Sequence, residues 1–192
     1  MKGLNISLYT QRNKSETGKG AHSRILELAI FAMLGTVMFC SKIIMEFLPN
    51  IHLLGMLTMT YTLVFRRRAL IPIYIYVMLN GVYSGFSVWW YPYLYIWTIL
   101  WGITMLLPRR MPKKVKSVVY PVVCAIHGIA FGILYAPAQA IMFGLDLEQT
   151  VAWVLAGLPF DVIHGVSNFI AGLLILHLSE LFERVLSKQE YL

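Results

Sequence analysis

Three hydrogen-bonding side chains recur at i, i+3 and i+7 in the segment Gly157-Leu-Pro-Phe-Asp161-Val-Ile-His164-Gly-Val-Ser-Asn168. On a helix this spacing puts Asp161, His164 and Asn168 on one face, so a carboxylate, an imidazole and an amide point the same way. The flanking residues are apolar, and an unpartnered polar group in such a medium costs several kcal/mol, ~2–7 by transfer. The stripe therefore faces either a ligand cavity or a neighbouring helix that it bonds to. Pro159, expected to break or kink the helix, favours the cavity. His127, which taken alone reads more readily as a structural histidine, lies at a depth in its own segment comparable to that of His164 or Asn168, so a shared polar layer can form. Asn80, halfway along a third apolar segment, is a weaker candidate.

An aromatic constellation lies between Tyr83 and Trp101, where four of the five tryptophans fall. An interfacial belt accounts for Trp89, Trp90 and Tyr91. Tyr93, Trp97 and Trp101 recur at i+4 and run deeper, as a flat wall. Aromatic faces stack on a planar ligand or cage a cation, while Asp, His and Asn fix its orientation. Lys42 and Glu46, at i and i+4, read as a local ion pair. Cys40 and Cys124 sit in apolar runs and read as small buried hydrophobes. No HExxH run or paired-cysteine set is present, so no metal site, cofactor or catalytic residue is expected. Without a Walker motif the chain is not expected to hydrolyse ATP.

The elements that must position these groups follow from composition. Of 192 residues 58% are apolar and 13% charged, too little polar surface to cover a soluble globule, so a bilayer is the expected solvent. The net charge of +7 is not gathered on one face as a nucleic-acid binder requires. All basic residues but Lys42 fall in four groups between apolar segments: residues 2–24, 66–68, 109–116 and 184–188. With the N-terminus inside and six crossings, all four groups face the cytoplasm, as the positive-inside bias requires.

The spans are read at 25–48, 51–65, 69–87, 93–107, 118–143 and 151–178. The expected organisation is an all-α membrane protein: a flexible cytoplasmic tail (1–24), a six-helix transmembrane domain (25–179) and a cytoplasmic C-terminal tail (180–192), N-in and C-in. Residues 1–22 lack the apolar core of a secretory signal. The second span reaches only ~22 Å against a ~30 Å hydrocarbon core, and must be shielded by neighbours, thin the bilayer or rely on the following arginines.

The size, the six helices, the inward termini and the GLPFDxxHxxxN pattern of residues 157–168 resemble the substrate-binding S component of energy-coupling factor (ECF) vitamin transporters, over about residues 26–178. Membership would imply a bacterial plasma-membrane subunit that binds a vitamin or precursor at its outer face. Its partners would be a transmembrane coupling subunit and two cytoplasmic ATPases, and it would topple to release the ligand inside. The resemblance places the pocket at the outer ends of helices four to six: Trp89, Trp90, Tyr93, Trp97, His127, Asp161, His164 and Asn168. It assigns coupling to the first helix, where Ala29, Ala32, Gly35 and Thr36 are small. The family favours two alanines four apart, whereas here Ala29 is followed at that spacing by Met33 and Ala32 by Thr36. Two other readings stay open. One is a stand-alone secondary transporter or channel with Asp161 and His164 as proton relay, and the other is an intramembrane enzyme using His127, His164 and Asp161.

Overall fold

Apolar runs without the alternation of a half-buried strand fold here as helices. The computed structural model describes residues 4–189, and among them every regular element is helical. The α-helices are α1 (Leu4–Ile44), α2 (Leu54–Phe65), α3 (Leu70–Ser84), α4 (Tyr93–Leu106), α5 (Lys113–Ile129), α6 (Phe131–Phe143), α7 (Leu147–Gly172) and α8 (Ile175–Gln189). Short 3-10 turns cover Arg66–Ala69 and Val88–Trp90. Among the described residues three stretches are long and apolar enough to cross a membrane: Arg24–Ile44, Lys113–Phe143 and Leu147–Gly172.

The chain runs back and forth. One end of the bundle holds the 66–69 turn, the 107–112 loop and α8, and hence the clustered arginines and lysines; this is the basic end. The far end holds residues 45–53, 85–92 and 144–146. There Asn50 takes a positive φ of 59°, which asparagine tolerates better than most residues, and turns the chain inward so that His52 enters the bundle. Nearby, Lys42 Nζ pairs with Glu46 Oε1 at 3.1 Å.

α1 and α3 run in the same direction, linked by an Arg68–Glu27 ion pair near the basic end and by Phe39 against Tyr83 near the far end. α5–α6 and α7 are antiparallel. Along them Lys113 meets Glu180 just beyond α7, Pro121 meets Gly172, Gly128 meets Gly165, and Gly132 meets Asp161. Steps of seven and four residues along α5–α6 are matched by equal steps back along α7, so one register holds over the whole length. Glycine sets the approach: a Cβ on Gly128 would stand 3.0 Å from the Gly165 backbone, and one on Gly172 2.7 Å from Pro121 Cα.

The short second segment is shielded by its neighbours. α2 has 12 residues, ~18 Å of helix, and residues 54–62 are all buried among the surrounding helices. The core around it gathers Phe31, Met38, Tyr61, Tyr76, Trp97, Leu100 and Ile175.

Four expectations are corrected. The backbone of α1 begins at Leu4, so residues 4–24, read as a flexible tail, continue the first helix. The fifth segment is two helices, α5 and α6, meeting at Ala130, because the Gly132 N–H leaves the helical ladder to donate to Asp161. Pro159 does not break α7, which runs from Leu147 to Gly172 with the proline inside it on an exposed face. The interruption comes instead at residues 173–174, where Leu173 and Leu174 donate to Ile170 and Ala171, three residues back, and tighten the last turn before α8. Finally, Cys124 is buried, but Cys40 is exposed on the outer face of α1.

Candidate functional site

Trp97, one turn into α4 and 1% exposed, is the hub of an interior layer. Tyr93 stacks on it at 6.1 Å with an interplanar angle of 25°, as the i, i+4 spacing on α4 predicts. His52, Tyr76, His127 and Phe131 close round it with ring centroids 5.9–6.2 Å away. His164 joins through His52 at 4.6 Å and Phe131 at 4.9 Å.

This layer holds polar atoms that are buried and have no protein partner, Trp97 Nε1, Tyr76 Oη, His52 Nδ1, His127 Nδ1 and His164 Nε2, and one turn along α3 and α7 from Tyr76 and His164 stand two more such groups, both amide atoms of Asn80 and Asn168 Oδ1. Buried polar groups are paired in most folds, so their concentration round one tryptophan marks hydrogen-bonding capacity directed at something other than the protein. Neighbouring bonds fix several roles. His127 Nε2 lies 3.2 Å from the Ile96 carbonyl, so in the neutral ring Nε2 carries the proton and Nδ1 is an acceptor. Asn168 Nδ2 donates to Cys124 O at 3.3 Å, leaving Oδ1 as an acceptor. Trp97 offers only a donor, Asn80 offers both kinds, and no Lys, Arg, Asp or Glu belongs to the layer. The arrangement suits a planar, uncharged ring bearing both donors and acceptors.

Asp161 has a different task. Both its carboxylate oxygens accept the Gly132 N–H, at 3.1 and 3.2 Å, so the acid caps the first turn of α6 from across the helix pair. A Cβ on Gly132 would collide with Asp161 Oδ2, so glycine is what permits this approach. Asp161 also lines a cavity of about 530 Å³ at the far end, with Trp89, Phe131, Tyr135, Gln139 and Trp153 among its walls. Tyr135 stacks on Trp153 and donates to the Trp89 carbonyl at 2.8 Å. Phe131 borders both this cavity and the inner layer, so it stands between the open mouth and Trp97.

The structure thus gathers Tyr93, Trp97, His127 and His164, with Asn168 and Asn80 buried one turn along from His164 on α7 and from Tyr76 on α3. Trp89 and Asp161 lie at the mouth. Trp90 is placed elsewhere: its Nε1 donates to Val77 O at 2.9 Å and its ring packs on Phe86, pinning the 85–92 loop to α3. Trp101, read as the third ring of the wall, instead donates to the Arg66 carbonyl at 3.0 Å. On α1, Gly35 is buried against Pro72 and Ile75 of α3, whereas Ala29, Ala32 and Thr36 are exposed.

His52, Tyr76 and Phe131 were missed. A lone histidine directly after the Pro49-Asn50 turn, ahead of a short apolar helix, was the available signal for His52. Tyr76 sits one turn before Asn80, and Phe131 one turn after His127, inside ordinary apolar runs. Among the described residues no cluster of His, Cys, Asp or Glu has metal-holding geometry. No protein-family model, curated protein or solved structure matches the chain.

Proposed function

We propose that the chain is the substrate-capture subunit of an ECF-type importer, a multi-pass protein of a bacterial plasma membrane with its basic end in the cytoplasm. It takes a small heterocyclic vitamin or vitamin precursor from outside, through the far-end mouth, into the layer around Trp97. Energy for uptake comes from an ECF transmembrane coupling subunit and two cytoplasmic ATPases. The exposed Ala29, Ala32 and Thr36 of α1 are available to the coupling subunit, whereas Gly35 is engaged by α3.

The observation that carries this reading is the set of buried, unpartnered donors and acceptors surrounding Trp97, adjoining a far-end cavity. A ligand there replaces each orphan with a hydrogen bond in a water-poor setting, where such bonds count most. The test is thermal stabilisation of the detergent-purified protein by a panel of water-soluble vitamins and their precursors, repeated with Trp97→Ala. One compound raising the melting temperature in the wild type and not in the variant supports the reading. At 100 times its Kd such a ligand stabilises by about 2.7 kcal/mol.

The three imidazoles His52, His127 and His164 also favour a second reading, a proton relay in a stand-alone transporter. Liposomes holding the chain alone discriminate: uptake driven by a pH gradient without any ATPase supports the relay, and its absence supports capture.

A further inference from the structure

At the basic end, on the opposite side of the bundle from Trp97, a second cavity of about 350 Å³ opens between the end of α2, the 107–112 loop, α5 and α8. Arg66, Arg109 and Lys116 line it, with Tyr120 and the carboxylates Glu180 and Glu183.

The carboxylates do not neutralise the three cations. Glu180 is held by Lys113 at 2.8 Å and approached by Arg184 at 3.8 Å, both reaching it from beside the cavity. Among the described residues Arg66, Arg109 and Lys116 form no ion pair, so of the two lining carboxylates only Glu183 has no cation from outside the cavity paired with it.

Arg66 is held in place at a cost. Its φ of 55° and ψ of −120° lie where a residue with a Cβ is strained by about 1–3 kcal/mol. Two anchors keep it there: Trp101 Nε1 donates to its carbonyl at 3.0 Å, and its own Nη2 donates to Met105 O at 3.0 Å. Its Nε is buried without a partner. Burial first, and then the nearby charge of Arg109, pull its guanidinium below the ordinary arginine value, with Tyr120 opposing them.

We propose that this cavity binds a phosphate group, with Arg66 and Arg109 as its donor forks and Lys116 as a third charge. Arginine presents paired N–H groups that match phosphate oxygens, and a fixed guanidinium loses little entropy on binding. The phosphate comes from one of two sources, the headgroup of an anionic phospholipid or a soluble phosphate ester.

The test uses the full-length purified protein, read by native mass spectrometry and by thermal shift. Probes are phosphatidylglycerol, phosphatidylcholine as the zwitterionic control, and inorganic phosphate. Arg109→Gln with Lys116→Gln removes two charges while leaving the Arg66 anchors intact, and Glu183→Gln removes the opposing carboxylate. Circular dichroism confirms that each variant is folded. The expected result is retention of phosphatidylglycerol over phosphatidylcholine, weakened at least tenfold in the double variant and strengthened severalfold by Glu183→Gln. The same pattern with inorganic phosphate, and no preference between the lipids, assigns the site to a soluble ester. Equal retention of phosphatidylglycerol in wild type and double variant, with no phosphate effect, overturns the proposal. The far-end ligand screen does not use these residues, so the two proposals fail independently.

Discussion

Asn80→Leu separates a ligand site from a structural polar core. Asn80 is fully buried on α3, and neither end of its amide has a partner. Leucine has nearly the same size and the same branching at Cγ. The exchange therefore removes two orphan groups, each costing about 1–3 kcal/mol, without opening a cavity. At the low end for both groups the gain is about 2 kcal/mol. For a chain of this length each kcal/mol moves the melting temperature by about 2–4 °C, so the ligand-free variant should melt about 4–8 °C higher. The ligand response should go the other way: a compound that stabilises the wild type by about 2.7 kcal/mol should lose most of that effect. Differential scanning fluorimetry in detergent, with and without the compound, reads both numbers. A melting temperature lowered by the substitution, with the ligand shift retained, refutes the reasoning. It would mean that Asn80 is satisfied within the fold and that the layer is structural.

Other expectations follow from single contacts. Asp161→Ala should cost about 1–3 kcal/mol without ligand, because the Gly132 N–H is left buried and unpaired, while Asp161→Asn, which keeps an acceptor, should recover most of it in chemical denaturation. Gly128→Leu should prevent folding, since even a Cβ there stands 2.8 Å from Asn168 Nδ2. Gly102→Ala, with open space at the same atom, should stabilise by about 0.5–1 kcal/mol, and the two melting curves check the contrast. The hydrogen bond from Lys113 lowers the Glu180 carboxyl below its ordinary 4.5. A depressed acid stabilises the fold above its unfolded value, and the effect disappears as pH falls through the folded one. Protection of the amides around Glu180, taken relative to their intrinsic exchange rates at each pH, should therefore fall below about pH 4.5 in the wild type, and that fall should shrink in Lys113→Met.

Much of the helix order was legible because each apolar segment is bounded by residues that cannot stay among apolar neighbours: the arginines at 66–68, the run from Pro108 to Lys116 and the Pro49-Asn50 turn. The errors came from rules about isolated helices. Pro159 lies inside α7 on an exposed face, and the helix runs through it. The break between α5 and α6, at Ala130, has no proline. It arises because Asp161, distant in sequence, draws the Gly132 N–H out of the ladder, and a local reading of residues 118–143 contains nothing to reveal that.

The site was half legible for a similar reason. Charge and periodicity pick out Asp161, His164 and Asn168 because ionisable and amide groups at helical spacing are rare in apolar segments. The same logic did not reveal the second task of Asp161, since spacing tells which way a side chain points but not that a backbone N–H on α6 already waits for it. The centre of the layer is neutral and aromatic. Tyr76 and Phe131 look like core residues in their own helices, and only the meeting of α3, α4 and α6 at Trp97 brings their rings together. His52 comes from a turn, where periodicity has no meaning, yet it closes the layer against His164. A buried layer assembled from one or two groups on each of several elements leaves no motif on any of them. What marks it is buried hydrogen-bonding capacity without a partner, and that property exists only once the chain has folded.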